Sequence, residues 1–547
     1  MVIGGTGGFG RRLVEGLVAT TDLDVVIAAR HLDRARGLAA ALHLDRASAV
    51  ALDRTSVTPD LLRASGASVV VDAAGPFQGA DYRVARAAIA AGMHYLDLAD
   101  GRDFVAGFAA LDAEARAAGV VALTGASSTP ALSCAVLDRL TEGWRRIDRI
   151  DIAISPGNRG APRGLAVIRS ILSYAGKPVR VFDGGNWVTH PGWGMLIRRE
   201  LPGIGRRFLS LCETPDLDLV PSRFAPRSST LFRAGLELSV LHLGLLIATL
   251  PVRARLLPSL LPFARLFGWV AERFAGFGSD RGGMLVEAAG VDAEGVATRA
   301  RWSLVATSGE GPVVPTLPAL AVLRAIAAGT VPAPGARACV GVVDLAAIEH
   351  EFARHRIKTA IAKSSIMSPF QSILGTGFAQ LPEPVRRLHG LTQYAATAGR
   401  AEITAARNPF AWLLCRLAGL PRPGSDVPVT VGFHLDQEGG EYWRRRFAAR
   451  RYASTMRAGQ GANAGLLVER FWPFIYCHRL TASPEGVAWL LVKWRLLGIP
   501  LPRWTLPTVN CFESGDGERF VFDIDVVFPL IGPVIHYRGW LVPQAQG

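Results

Sequence analysis

The residues best suited to chemistry stand at the very start of the chain. The segment Met1-Val-Ile-Gly4-Gly5-Thr6-Gly7-Gly8-Phe9-Gly10 sets Gly5, Gly7 and Gly10 in a G-x-G-x-x-G spacing. That spacing serves a pyrophosphate: a glycine for the tight turn, one for close backbone approach, and one for close helix–strand packing. Leu13, Val14 and Leu17 follow at helical spacing, so the loop opens a helix whose first amides can hold phosphate. Asp24–Ala29 reads as a second strand at the distance a βαβ unit needs, and it ends in Arg30. Domains that take NAD carry an acid there for the ribose 2′-hydroxyl, whereas an arginine suits a 2′-phosphate. Arg34, one helical turn on, supplies a second cation. The plain alternative is an ordinary surface arginine in an arginine-rich chain. The reading is NADP(H) rather than NAD.

These residues need a frame. Ala49–Asp53 reads as a third strand with Asp53 at its end, and Ala67–Val71 as a fourth that runs into Asp72-Ala-Ala-Gly75-Pro76-Phe77. Helix Tyr82–Gly92, strand His94–Leu98, helix Phe104–Ala118 and strand Val120–Leu123 follow. Such alternation predicts a Rossmann-type, doubly wound parallel sheet with ligands at the carboxyl ends of its strands. Gly75, Pro76, Phe77, Asp97 and Asp100 all lie at such ends. Only three residues precede Gly4, which predicts a short first strand or a start further upstream; no signal peptide precedes the glycines.

At 547 residues the chain has length for three or four domains. With 50% apolar and 19% charged residues it can bury large cores, which excludes a disordered scaffold. The cysteines at 134, 212, 339, 415, 477 and 511 stand singly. No metal clip or disulfide framework is expected, and a reducing cytoplasm fits. A net charge of +14 invites a nucleic-acid reading, but only residues 177, 358, 363 and 493 are lysine. The excess of arginine is compositional, and its densest run, Arg444–Arg446 with Arg450 and Arg451, lies in a predicted hairpin. Nucleic acid is not expected as a partner. The apolar run Ala234–Val252 approaches the thickness of a bilayer, yet it contains Glu237 and His242. A second run, Leu256–Val270, is interrupted by Pro258, Pro262 and Arg265. Peripheral membrane contact is the most these runs predict.

After residue 355 the pattern changes. Residues 356–380 read as a linker with one weak helix, and strand follows strand from about residue 381. Asp426–Leu435 and Glu441–Phe447 flank the turn DQEGG; Gly465–Ala482 turns at PEG into Val487–Leu497. In Arg519–Phe528, Phe520, Phe522, Ile524 and Val526 alternate with residues of the other face. This predicts an antiparallel barrel or sandwich. Seven of the twelve tryptophans fall in this third, at 412, 443, 472, 489, 494, 504 and 540. Aromatic-rich barrels often enclose an apolar ligand, although core packing explains tryptophan more often. Glu469, Arg495, Asp523, Asp525, His536, Tyr537 and Arg538 either line a pocket or form an exposed face; the exposed face is the favoured reading.

GGTGGFG, IAAR, VVDAAGPFQ, AGMHYLDLADGRDFV and GASSTPAL together resemble the saccharopine dehydrogenase-like NAD(P)-dependent reductases. Weaker matches continue to about residue 355, through VPTLPALAVLRAIAAGTVPAPGARACVGVVDL. The resemblance implies a nicotinamide-nucleotide domain at 1–130 and an α+β substrate and dimerisation domain at 131–355. It implies that the loop Gly5, Thr6, Gly7, Gly8, Phe9, Gly10 holds pyrophosphate and that Arg30 meets the adenosine phosphate. Gly75, Pro76 and Phe77 would border ribose and nicotinamide. Its chemistry is hydride transfer to or from an imine, amine or activated alkene, and some relatives reduce lipid or polyketide intermediates. The run 234–271 would suit such an apolar substrate, or a dimer interface. No Lys–His pair of the lysine-forming enzymes is visible, so lysine metabolism is not implied. LVKWRLLGIPLPR and FDIDVVFPLIGPVIHYRGWLVP resemble a bacterial domain family of unknown function, covering about 381–543.

The catalytic residues are unknown from sequence. Asp100, Ser128, Tyr174 and Lys177 are weak candidates near the expected cleft. Hydride transfer can proceed with few protein acids, because the cofactor carries the chemistry. A non-catalytic nucleotide sensor with a ligand-binding barrel is the competing reading, and a membrane-surface platform a third.

Overall fold

The first βαβ unit forms because its apolar positions match two periods. Val25–Ala29 (β2) alternates too little to be half solvated and is buried, while Leu13, Val14, Leu17 and Val18 line one side of helix Gly8–Thr20 (α1). A computed structural model of the protein describes residues 1–42, 46–159, 164–390, 395–405, 408–417, 420–435, 440–529 and 531–544. The chain divides into two units, Met1–Ser364 and Ser365–Gly547.

In the first unit, the strand Val2–Ile3 (β1) is flanked by β2 and by Val69–Asp72 (β4). The sheet continues through Ala47–Ala51 (β3) on one side, and through His94–Asp97 (β5) and Val121–Thr124 (β6) on the other. Every pairing is parallel, and the order β3-β2-β1-β4-β5-β6 reverses between β1 and β4. Doubly wound sheets bind their ligands at that reversal. A seventh strand, Gly335–Ala338, adds to β6 from some two hundred residues further along. The nucleotide domain is therefore not contained in 1–130; the chain returns to it after the second lobe, as a short strand of three small residues and Arg337 with no apolar alternation to announce it.

The second lobe is a mixed sheet. Its path runs Ile197–Leu201, Gly205–Leu211, Ser229–Ala234, Arg146–Ser155, Gly282–Val291, Ala297–Ala306 and Ile357–Ser365, with Pro178–Asp183 and Asn186–Pro191 attached. The last of these strands corrects the expected linker. Residues 358–365 are all exposed, so this edge strand lacks the in–out alternation by which a strand is read. The weak helix is Pro369–Leu374, closed at its start by a Ser368–Gln371 capping box.

Packing accounts for the two polar residues at the start of the apolar run 234–271. Glu237 accepts from the Asn158 and Ser279 amides at 2.7 and 2.9 Å, and Arg207 lies at 3.2 Å. The buried His242 takes the Leu236 amide on Nδ1 and meets Ser210 Oγ through Nε2 at 2.9 Å. Burial lowers its pKa to about 4. Among the described residues, no helix is long and apolar enough to cross a membrane.

The second unit closes on itself. Ten antiparallel strands run in sequence from Ala395–Ala405 to Gly532–Pro543, and Phe474–Ser483 pairs with Gly486–Leu496 to complete the ring. Ile499–Pro500 is appended outside it. The alternative of a sandwich falls, because the first and last strands pair with each other as well. Since the fold clusters into two units, residues 1–364 and 365–547 expressed separately should each melt cooperatively. Circular dichroism should report a β-rich C-terminal piece.

Candidate functional site

The glycine loop is built by steric necessity. Gly4 has φ +74, and its Cα is backed by Ala74, on the loop after β4. A Cβ on Gly10 would collide with the Gly4 carbonyl, and one on Gly7 would come within 3.1 Å of that same oxygen. The Gly4 and Gly5 amides are spent on the Ala28 carbonyl, and Gly7 donates back to Gly4 at 2.8 Å. Arg11 is the first residue whose amide meets Gly7 in the helical pattern, so Gly8, Phe9 and Gly10 present theirs outward. Gly7 caps α1 without a side chain, which leaves that end open to a phosphate.

Arg30 stands exposed at the end of β2, and Arg34 is exposed on the helix Leu32–Ala41. Asp53 is exposed just beyond the end of β3. Its carboxylate accepts from the Thr55 amide and hydroxyl at 2.9 and 2.8 Å, capping the turn Arg54–Ser56. Those bonds hold its pKa below the ordinary range, with a smaller contribution from Arg30 nearby. The loop after β4 brings Gly75 and Pro76 to the reversal point. Phe77 is buried and packs on Phe104, with Arg54 over its ring at 5.2 Å, so its side chain shapes the loop from beneath.

β4 and β5 end side by side in Asp72 and Asp97, both fully buried. Asp72 pairs with Arg54 at 2.8 Å. Asp97 accepts from the Ala99 and Gly125 amides at 2.9 and 2.7 Å and from the Thr124 and Tyr95 hydroxyls. Burial nevertheless pushes its pKa up to about 7. These carboxyls act as posts for the loops around the cleft.

Three polar side chains meet in that cleft. Gln78 Nε2 donates to Asp100 Oδ1 at 3.1 Å and to Ser170 Oγ at 2.8 Å, while Ser170 donates to Asp100 Oδ2 at 3.2 Å. Ser170 comes from the helix Leu165–Tyr174 of the second lobe, so the trio joins the two lobes of the first unit. Asp100 opens to solvent on one side, yet protein crowds it enough that desolvation raises its pKa. Gln78 Oε1 is buried without a partner, an acceptor left for a ligand's donor. One turn along the same helix, Tyr174 donates to Cys212 Sγ at 3.0 Å; burial raises the tyrosine far above its usual pKa and the thiol to about 12.

Of the weak catalytic candidates, Asp100 and Tyr174 are thus brought together. Lys177 follows at the helix end, its amide on the Tyr174 carbonyl. Ser128 is buried in the turn Ser128–Leu132 and takes no part in the trio's bonds. Sequence reasoning missed Gln78, Ser170 and Cys212. Gln78 directly follows Gly75-Pro76-Phe77, a signal that was open to reading; the other two lie far off in sequence. Among the described residues, no group of histidines, cysteines and acids could hold a metal ion.

A glycine cradle at the reversal of a doubly wound sheet defines a dinucleotide-binding domain. Residues 1–123 match the family described as saccharopine dehydrogenase NADP binding domain, and residues 381–541 match a domain of unknown function, DUF4166. The chain therefore carries a saccharopine dehydrogenase-type NADP-binding domain at its N-terminus and a DUF4166 domain at its C-terminus. No curated protein matches it. Among solved structures it is similar to saccharopine dehydrogenase (L-Glu forming) from Saccharomyces cerevisiae, at 13% identity over 66% of this chain and 99% of that one, TM-score 0.47. It is also similar to an amine dehydrogenase from Mycobacterium smegmatis, at 13% identity, 61% and 93% coverage and TM-score 0.33. A third is UDP-N-acetylglucosamine 3-dehydrogenase from Acidithiobacillus ferrooxidans, at 14%, 64% and 93%, TM-score 0.29.

Proposed function

We propose that the first unit is an NADP(H)-dependent oxidoreductase that passes hydride to an imine or activated alkene of a largely apolar substrate. The observation that carries this reading is the glycine cradle with Arg30, rather than an acid, directly after β2 and Arg34 exposed one turn on. The glycines fit a pyrophosphate and the arginines a 2′-phosphate. The nicotinamide supplies the hydride when the cofactor is bound. Asp100, held by Gln78 and Ser170 with a raised pKa, exchanges the accompanying proton in this reading.

Isothermal titration of NADPH and NADH tests the cofactor. A charge-assisted phosphate contact is worth roughly 1.5–3 kcal/mol, so NADPH should bind about ten- to a hundredfold tighter. Arg30→Asp should erase or reverse that preference. Equal affinities in the parent protein would sink the reading.

A peripheral membrane contact has support in residues 239–273. Ile247, Leu256, Leu266 and Trp269 are each more than half exposed, and Arg255, Arg265 and Arg273 are exposed among them. Apolar side chains interleaved with cations suit the surface of an anionic bilayer. The protein should sediment with phosphatidylglycerol vesicles and be released by carbonate; Leu256→Ser with Trp269→Ser should abolish the sedimentation. Resistance to carbonate would contradict a peripheral contact.

A further inference from the structure

The barrel of the second unit is not packed solid. It encloses a cavity of about 170 Å³. Phe520, Phe522, Ile524 and Val526, the inward face of one strand, line it together with residues from the other strands. One end is plugged by Phe370 and His389, from the helices Pro369–Leu374 and Glu383–His389. Their rings stack 3.7 Å apart, and both are completely buried. The opposite end is different. Phe471, Phe474 and Pro507 line the cavity there, and Trp472, Leu497, Ile499 and Trp504 on the adjoining turns are 67–84% exposed. Those turns touch: the Leu497 amide donates to the Pro473 carbonyl, and Trp494 Nε1 to Thr505 Oγ1.

Glu469 and Tyr537 correct the expected exposed face, since both line the cavity. Asp523, His536 and Arg538 do lie outside, in exposed pairs. The charges that reach the wall are already matched. Arg445 lies 3.7 Å from Glu469, donates to Ser454 at 2.7 Å and sits over the Trp443 ring at 4.6 Å. Glu513 is held by His389 at 2.7 Å and by Trp489 Nε1 at 3.1 Å. Among the described residues of the wall, an anionic ligand would find no cation without an acidic partner, and a cationic one no carboxylate without a basic partner.

What the wall lacks is hydrogen bonds. His478 is 3% exposed, and neither ring nitrogen has a hydrogen-bond partner; the nearer group, Glu469, stands 3.5 Å from Nε2. The buried Tyr452 hydroxyl has only the neighbouring Tyr537 hydroxyl beside it, without a hydrogen bond of good geometry. Buried polar groups are nearly always satisfied, so an apolar cavity beside three unsatisfied atoms implies a molecule that supplies the missing partner. An apolar cavity of roughly 150 Å³ holds benzene, which sets the scale of the body at one or two rings.

We propose that the ten-stranded barrel binds an uncharged, mostly apolar molecule carrying one hydroxyl or carbonyl oxygen, admitted through the end rimmed by Trp472 and Trp504. Tyr452 and His478 meet the oxygen, and the aromatic wall holds the body. The site is independent of the nucleotide cleft.

Equilibrium dialysis of the full chain against naphthalene, 2-naphthol and 2-naphthoate at neutral pH tests this with one ring system and three end groups. One equivalent of 2-naphthol should bind, about three- to tenfold tighter than naphthalene, the contribution of one neutral hydrogen bond. 2-Naphthoate should bind more weakly than either, and saturating NADPH should displace none of them. Tyr452→Phe, which removes one oxygen and leaves the shape, should bring 2-naphthol toward naphthalene's affinity without changing naphthalene. Val431→Phe, which fills the cavity, should abolish binding of all three while the circular dichroism of the barrel persists. If that variant unfolds, Tyr452→Phe decides alone. Binding of none of the probes, binding tightest for the carboxylate, displacement by NADPH, or an equal loss for naphthol and naphthalene in Tyr452→Phe would each overturn the proposal.

Discussion

Gly10→Ala should lower NADPH affinity at least a hundredfold while leaving most of the secondary structure in place. A Cβ at this position meets the Gly4 carbonyl, which is backbone and cannot swing aside, and it also approaches the Gly5 Cα at 3.0 Å. The loop must open to accommodate it. Opening moves the Gly8–Gly10 amides off the pyrophosphate position, and a hundredfold in affinity corresponds to only about 2.7 kcal/mol. Overpacking of this kind costs about 1–3 kcal/mol of stability in itself. Gly37→Ala provides the control, because its Cβ would meet nothing within 4 Å on the exposed side of a helix. It should bind NADPH as the parent does and gain up to about 1 kcal/mol in stability. Calorimetry and thermal melts read both quantities; undiminished binding by Gly10→Ala would remove the loop from the cofactor site.

The second large effect lies in the pH dependence of stability. Asp97 is carried from 3.8 to about 7 by burial at the end of β5. A carboxyl whose native pKa lies above its unfolded value contributes stability in full below pH 4. That contribution is lost as pH rises through 7, because the unfolded chain releases its proton first. At 1.36 kcal/mol per pH unit the displacement is worth on the order of 4 kcal/mol. Asp97→Asn keeps an acceptor for the Ala99 and Gly125 amides and cannot ionise. It should therefore match or fall below the parent at pH 4–5 and exceed it by a few kcal/mol at pH 8. Denaturant unfolding at both pH values measures the difference. Parallel curves for the two proteins across pH 4–8 would mean that Asp97 is ionised throughout in the native state.

Much of the nucleotide half was legible because its signals are local. Three glycines, a helix and a buried strand fall within the first thirty residues, and the Arg30 that closes β2 lies next to them. Asp100 was readable as the end of a strand. Its partner Ser170 was not, since the hydrogen bond spans seventy residues and serine carries no spacing signature. Gln78 could have been read from its place after Gly75-Pro76-Phe77. The edge strand Ile357–Ser365 escaped because an exposed strand shows no alternation.

In the second half, the alternation of Phe520, Phe522, Ile524 and Val526 with a second face that carries Asp523 and Asp525 determined that these strands would form an antiparallel sheet with one apolar face. It could not decide whether ten such strands would close. Closure depends on Ala395–Ala405 meeting Gly532–Pro543, and a pairing across about 140 residues leaves no mark in a period-two pattern. For the same reason sequence placed Glu469 and Tyr537 on a strand but not on its inner side: a single polar residue reads alike on either face. Only the closed barrel turns them, with His478 and Tyr452, toward one cavity.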